Sequence, residues 1–483
     1  MWFLQADTAL KLFAAGILWT ALAALAGRFG AQAKLNRFLV LVDIALIALI
    51  SPGLAAFYVV YTLATYGLTC LAPAAARRKE AGRRSGQVLF VVLNILCVTP
   101  FLYLRASAVW TALPVLLTLV GFSYNMLKAV DGVYFAYYTG ERLDLVMYAN
   151  YMLFFPVLTA GPIMRYRDFV RCMDSPAPIT GERLVTNVKR LIRGYFKKVV
   201  VLSLVSILLS RLAALPGHVW LSVLVCLVSY LLLWLDMSGY ADIAIALGGC
   251  MGFTVAENFK HPLRAASFTQ FWRNWHVSLT SWFKDYLYIP LGGSRKGKLR
   301  KQINRMIVFL VSGLWHGANM TFVVWGGLNG LFQVIGELLM PLRLKLSELL
   351  HIDRQSLGVK LVQIPVTFLL FAFSLIFFRS DTVGEALAVI SSIIHVRNPW
   401  ILFDGSLMLH DYDGAMVLPM TFFMGALLFS DIRKQRGIAV RKIILRQDAW
   451  FRWLVFAVST ATVLLFGVWG PGFSEANFIY FQF

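Results

Sequence analysis

His316 stands in Val311-Ser312-Gly313-Leu314-Trp315-His316-Gly317-Ala318-Asn319, an apolar stretch with no acid or base beside it. A neutral imidazole is the commonest general base near pH 7. An ionisable side chain inside an apolar segment is costly enough to be a functional candidate by default. Gly313 and Gly317 lie four residues apart and form a small face along which a second helix can approach the ring. The alternative for His316 is a core histidine hydrogen-bonded across helices. His276, in Phe271-Trp272-Arg273-Asn274-Trp275-His276-Val277-Ser278-Leu279, is the second candidate, with interfacial solvation as its alternative. One continuous helix would hold these two rings about 60 Å apart at 1.5 Å per residue. They meet only if the chain turns back. Pro290-Leu291-Gly292-Gly293 supplies such a turn, and a basic loop from Arg295 to Arg305 follows it.

A third cluster is Asp236-Met237-Ser238-Gly239-Tyr240-Ala241-Asp242, inside an apolar run. In a helix Asp236 shares a face with Tyr240, and Ser238 with Asp242, through i,i+4 spacing. Buried carboxylates need cationic partners from elsewhere, for example Arg273 or Lys284, so this polar cluster is either an ion-pair network that sets helix positions or part of a site. No histidine accompanies it at ligand spacing, and no metal site is expected; His410, Asp411 and Asp413 form only a weak mixed set. The chain has no G-x-S-x-G elbow, Walker A loop, dinucleotide glycine pattern or H-E-x-x-H. What remains is acid-base chemistry by histidine. The five cysteines are scattered without a C-x-x-C pair, which argues against a disulfide framework or a zinc site.

The elements that must position these residues are membrane helices. Of 483 residues 59% are hydrophobic and 14% charged, against roughly 25% charged in soluble proteins. Apolar windows near 8-27, 38-50, 54-72, 87-104, 107-129, 144-163, 199-213, 219-249, 304-320, 321-340, 361-378, 414-430 and 451-470 predict about a dozen membrane segments. The first is read as a retained helix, because Asp7 precedes Lys11 where a signal peptide would carry positive charge. Lys and Arg outnumber Asp and Glu by 45 to 24. The basic residues gather in Arg28 to Arg37, Arg77 to Arg84, Arg165 to Lys198, Lys260 to Arg305, Arg343 to Lys360 and Arg433 to Arg452. That pattern fits cytoplasmic loops rather than a nucleic-acid groove.

An odd number of segments separates two of those loops between residues 87 and 163, so one segment there is re-entrant, broken or misread. Several short segments together suggest a cavity, since irregular backbone at membrane depth must be covered by protein or line water. Residues 250-303 interleave basic and aromatic residues, the pattern of helices lying in the bilayer interface. Ala386 to Ile394 is a further short amphipathic run. Gly326 and Gly330 offer a second close-packing face.

The residues from Phe271 to Leu279, then Trp282-Phe283-Lys284-Asp285-Tyr286, Tyr288-Ile289-Pro290-Leu291-Gly292-Gly293 and Ser312-Gly313-Leu314-Trp315-His316-Gly317-Ala318, resemble the membrane-bound O-acyltransferase (MBOAT) superfamily. Their order and spacing look most like its bacterial alginate O-acetylation branch. Phe155-Pro156, Ala160-Gly161-Pro162-Ile163, Phe196-Lys197-Lys198-Val199-Val200, Glu257-Asn258-Phe259, Phe378-Arg379-Ser380 and Tyr480-Phe481-Gln482-Phe483 agree, from about residue 114 to the end. The resemblance implies an all-α polytopic integral membrane protein whose helices surround a central tunnel. Residues 1-110 would be N-terminal membrane helices, departing from the pattern, and 111-483 the acyltransferase core.

It also implies His316 as the family's catalytic histidine and His276 as the branch's second. Arg273, Asn274, Trp275, Lys284, Asp285, Tyr286, Trp315 and Asn319 become candidates for substrate or donor binding. The implied reaction moves an acetyl group from cytoplasmic acetyl-CoA to a hydroxyl of an extracytoplasmic polysaccharide, or to a partner acetyltransferase. The expected location is the bacterial inner membrane, among lipid, with no tightly bound cofactor and no nucleic acid. The alternatives are D-alanyl transfer from a carrier protein toward teichoic acid, and a transporter without covalent chemistry; repeated halves that would favour a transporter are not visible.

Overall fold

A computed structural model of the chain describes residues 6-109, 121-214, 219-394, 414-435, 443-444 and 446-467. All regular secondary structure among the described residues is helical. The chain forms two compact units, one from Met1–Leu191 with Tyr240–Glu257, the other from Ile192–Gly239 with Asn258–Val468.

The first unit contains α1 (Ala6–Arg28), α2 (Gln32–Asn36), α3 (Leu39–Ile50), α4 (Pro52–Glu80), α5 (Arg84–Val109), α6 (Phe122–Thr139), α7 (Leu145–Leu153), α8 (Tyr166–Asp174) and most of α9 (Gly181–Tyr195). Helix α4 starts where Ser51 Oγ accepts the Leu54 N–H and Pro52 takes the first turn, and it ends in Arg77, Arg78 and Lys79 beside the partially negative terminal carbonyls. The 144-163 segment is broken. Helix α7 begins with Asp144 accepting the Met147 N–H, stops at Leu153 and yields to a 3-10 turn at Phe155–Val157. Ionisable side chains of neighbouring helices satisfy this broken backbone. Lys128 Nζ donates to the Tyr151 and Met152 carbonyls at 3.1 and 3.3 Å, and Asp43 Oδ1 accepts the Phe155 N–H at 3.3 Å. Asp131 Oδ2 accepts from the Tyr151 hydroxyl at 2.7 Å. Carbonyls freed from a helix inside an apolar fold demand such partners.

The second unit contains α10 (Leu202–Ala214), which continues a π-helical stretch at Phe196–Val201, and α11 (Val219–Cys250), whose residues from Tyr240 onward belong to the first unit. It continues with α12 (Phe268–Asn274), α13 (Val277–Phe283), a π-helical stretch at Lys284–Tyr288, α14 (Lys298–His316), α15 (Met320–Leu338), α16 (Met340–Leu349), α17 (Leu357–Arg379), α18 (Val383–Ile394), α19 (Gly414–Gln435) and α20 (Ala449–Phe466). Helices α14 and α15 form a hairpin in which glycines let the backbones touch. A Cβ at Gly313 would collide with the Phe322 carbonyl, and one at Gly326 with the Phe309 carbonyl. The helix that approaches Gly313 is thus the next one along the chain. The face at Gly326 and Gly330 is also used within the chain, against Phe309 and Met306 of α14. At the far end of the hairpin, Glu337 accepts from Lys301 at 2.5 Å and Arg305 at 2.7 Å.

Among the described residues four helices are long and apolar enough to cross a membrane: Pro52–Glu80, Arg84–Ser107, Val225–Cys250 and Leu357–Arg379. The bent pair α15 and α16 would make a fifth. This corrects the dozen segments expected from the sequence. Helices α3 and α10 have only 12 and 13 residues, α6 carries Lys128 and Asp131, and α14 opens on Lys298, Arg300 and Lys301. Crossing hydrocarbon takes roughly 20 predominantly apolar residues, which these short or charge-bearing helices do not supply.

Candidate active site

His276 lies at a break between two short helices. Helix α12 is capped by Ser267, whose Oγ accepts the Gln270 N–H at 3.2 Å, while Gln270 Oε1 accepts the Ala266 N–H at 2.9 Å. It ends at Asn274. His276 then adopts the left-handed conformation, φ 46° and ψ 52°, before α13 begins. For a residue with a Cβ that backbone costs roughly 1–2 kcal/mol. The ring is driven inward and is 2% exposed, which removes interfacial solvation as its role. Phe271, Trp272, Trp275, Trp282 and Phe283 are buried as well. The aromatic residues of this stretch from Phe268 to Phe283, read from sequence as interfacial, therefore build protein interior, while Lys284–Tyr288 buries no residue. Large rings bury most area against one another: Trp275 lies 5.3 Å from Phe271, 5.1 Å from Phe259 and 5.3 Å from Phe371.

Burial pulls the His276 pKa down from 6.5 to about 4. The folded protein refuses a proton that the unfolded chain accepts below pH 6.5, so stability falls as pH drops from 6.5 toward 4. The loss is about 3 kcal/mol when complete. Thermal melting in detergent at pH 7 and pH 4.5 measures it, and the His276-dependent part is expected to vanish in His276→Gln. An equal acid-induced drop in both proteins would contradict the assignment.

His316 is the last residue of α14. Gly317 follows in extended backbone, its N–H donating to the Gly313 carbonyl at 3.2 Å, and α15 starts three residues later. The imidazole is half-buried. Trp315, Trp325 and Phe378 frame it at 4.8, 5.1 and 5.4 Å, all nearly perpendicular to it. The Trp325 and Trp272 indole N–H groups are buried without hydrogen-bond partners.

A run of ring contacts joins the two histidines. From His276 it passes to Phe259 at 6.2 Å, to Trp275, to Phe371, then to Trp272 at 6.2 Å, to Trp325 at 6.0 Å and to His316. The chain turns back where the sequence said it must. Asn304 Nδ2 donates to the Leu291 and Gly293 carbonyls at 3.3 and 2.9 Å, and Gly292 and Gly293 both take positive φ. Without a Cβ, glycine adopts that backbone freely.

Residues 101–379, well over half the chain, match the family model MBOAT, membrane-bound O-acyltransferase family. The chain belongs to this family. A probable alginate O-acetylase AlgI of Pseudomonas syringae pv. tomato is 33% identical over 273 residues, covering 55% of this chain and 50% of that protein. A peptidoglycan O-acetyltransferase of Helicobacter pylori is 31% identical over 255 residues, 51% of this chain and 46% of that protein. A teichoic acid D-alanyltransferase of Bacillus subtilis is 28% identical over 231 residues, 44% and 57% of the two chains. The chain spans about half the length of the curated relatives it matches.

Both histidines fall inside the MBOAT match, with α12 to α15 around them. The other sequence candidates scatter. Trp315 is buried beside His316, and Trp275 beside His276. Asn274 is partly exposed and its carbonyl accepts the Lys260 N–H at 2.9 Å. Tyr286 is half-buried against Trp282 at 4.9 Å. Arg273, Lys284, Asp285 and Asn319 are exposed. Tyr480 to Phe483, and His410, Asp411 and Asp413, lie outside the described residues.

The acidic cluster takes partners other than those expected. In the second unit Asp236 pairs with Lys198, and Lys197 Nζ donates to Ser238 Oγ at 3.2 Å. In the first unit the Tyr240 hydroxyl meets Thr159 at 2.6 Å, and Asp242 accepts from Arg190 at 3.0 Å. Arg190 also grips Glu257 through two hydrogen bonds of 2.7 and 2.6 Å. Arg273 and Lys284 sit at the surface instead, because Lys198 and Arg190 reach the carboxylates from helices packed beside them. Among the described residues no group of three or more His, Cys, Asp or Glu side chains could hold a metal ion. Sequence reasoning missed Trp325 and Phe371 as parts of the histidine surroundings and quoted Asn258 and Phe259 only within the family resemblance, because no spacing rule ties them to residues 276 and 316.

Proposed function

We propose that this MBOAT member transfers an acetyl group from acetyl-CoA, taken up on the cytoplasmic side of the bacterial inner membrane, through a passage between its helices to a hydroxyl on the other side. The acceptor is a polysaccharide hydroxyl or a partner acetyltransferase, in keeping with relatives whose names specify alginate and peptidoglycan. Residues 111-483 would form the catalytic core and 1-110 additional membrane helices. The observation that carries the reading is His316: half-buried, at a helix C-terminus, and framed by three aromatic rings inside the segment that matches the family.

In the proposed step His316 removes the proton from the acceptor hydroxyl as its oxygen attacks the thioester carbonyl carbon. The new O–C bond forms, the C–S bond breaks, and the leaving thiolate takes up a proton. The C-terminal carbonyls of α14 favour the imidazolium that forms. The unpartnered Trp325 N–H, in the ring cluster of His316, suits the carbonyl oxygen as it gains charge. His276, held neutral by burial, would position the donor or relay a proton. Arg273 and Lys284, with exposed Arg295, Lys296, Lys298 and Arg300, offer positive charge to the phosphates of coenzyme A. No tightly bound cofactor enters the scheme.

The D-alanyltransferase relative favours a second reading, aminoacyl transfer from a carrier protein. Purified protein in proteoliposomes, supplied in parallel with labelled acetyl-CoA and with an aminoacylated carrier, tests both. Label released from acetyl-CoA and appearing on an acceptor hydroxyl is the expected result. Transfer from the carrier alone would install the second reading, and transfer from neither would overturn the enzymatic account.

A further inference from the structure

His276 holds a left-handed backbone, which a residue with a Cβ keeps only where its surroundings over-determine it. Those surroundings are a neighbouring segment, Asn258 to Lys260. The Asn258 carbonyl accepts the Val277 N–H at 2.9 Å. Its side-chain Oδ1 accepts both the Ser278 N–H at 3.0 Å and the Ser278 hydroxyl at 2.9 Å. Lys260 N–H donates to the Asn274 carbonyl at 2.9 Å, so the segment is tied to the chain on both sides of His276. Phe259, between these anchors, sets its ring 6.2 Å from the imidazole. Asn258 is 2% exposed, and a buried acceptor that takes two donors is expensive to replace.

We infer that Asn258 is a positioning residue: its Oδ1, by holding the start of α13, fixes the imidazole of His276 in its buried pose. The inference rests on the proposal that His276 takes part in transfer. The backbone bonds of residue 258 survive any substitution, so the contribution of the side chain can be separated from that of the segment. Asn258→Asp keeps an acceptor for both donors; Asn258→Ala removes it.

Two measurements on the full-length protein in detergent test this. The first is the rate at which diethylpyrocarbonate modifies each histidine, read by mass spectrometry. His276 is expected to react at least tenfold faster in Asn258→Ala than in wild type, with His316 and His351 unchanged and Asn258→Asp restoring protection. An unchanged His276 rate, or a rise at every histidine alike, overturns the inference. The second is transfer from labelled acetyl-CoA, where Asn258→Ala is expected to lose about tenfold and to add nothing in a His276→Ala background. Full activity of His276→Ala would defeat the catalytic reading while the labelling still judges the clamp. Loss in His276→Ala with full activity in Asn258→Ala would defeat the clamp alone.

Discussion

His316→Ala is expected to lower acyl transfer by a hundredfold to ten-thousandfold, the range that a positioned general base contributes. The protein should remain folded. The ring is half-buried and its neighbours Trp315, Trp325 and Phe378 are held by their own helices, so truncation removes edge contacts and leaves the α14 and α15 hairpin intact. The measurement is transfer of label from acetyl-CoA by wild type and variant matched for monodisperse yield. Retention of more than a tenth of the wild-type rate would reject His316 as the base. His316→Gln separates the chemistry from transport: a glutamine lines a path as well as a histidine does, yet it cannot accept the proton. A carrier without covalent chemistry would tolerate that change.

The largest effect on stability is expected at Lys198. Its ammonium is fully buried against Asp236, itself 1% exposed, and the second carboxylate oxygen of Asp236 has no hydrogen-bond partner. Lys198→Met leaves a carboxylate stranded in apolar surroundings, which costs about 3–5 kcal/mol. Restoring the balance by Lys198→Met with Asp236→Leu should recover most of the loss, since a buried pair replaced by packed apolar groups is often nearly neutral. Folded yield and melting temperature in detergent measure both variants. A double variant as unstable as the single one would mean that the pair holds more than itself. Transfer activity of the rescued double variant separates a structural pair from a polar group needed in the passage.

How much of this could be read beforehand depends on the residue. The turn at Pro290 to Gly293 and the close approach at Gly313 were legible because each is local, a run of turn formers and a pair of small residues at helical spacing, and the two histidines stood out as candidates because each is a side chain foreign to its surroundings. The break in the 144-163 segment was legible only as a parity conflict, and its place at Leu153 emerged from the side chains that satisfy it. The aromatics of 250-303 misled. Tryptophan and phenylalanine among arginines look the same whether the rings face lipid headgroups or one another, and Phe371 and Phe378 arrive from a distant segment to complete the cluster.

Composition and local spacing alone pointed to membrane helices and singled out imidazole as the candidate base. They placed the reversal of direction that lets residues 276 and 316 share one compact unit. Only the tertiary structure decided which apolar runs are long enough to cross, which cations meet Asp236 and Asp242, and that His276 is buried. The reason is that burial and charge pairing depend on neighbours supplied by other segments: a sequence states what each residue needs, and packing alone assigns the partner that meets the need.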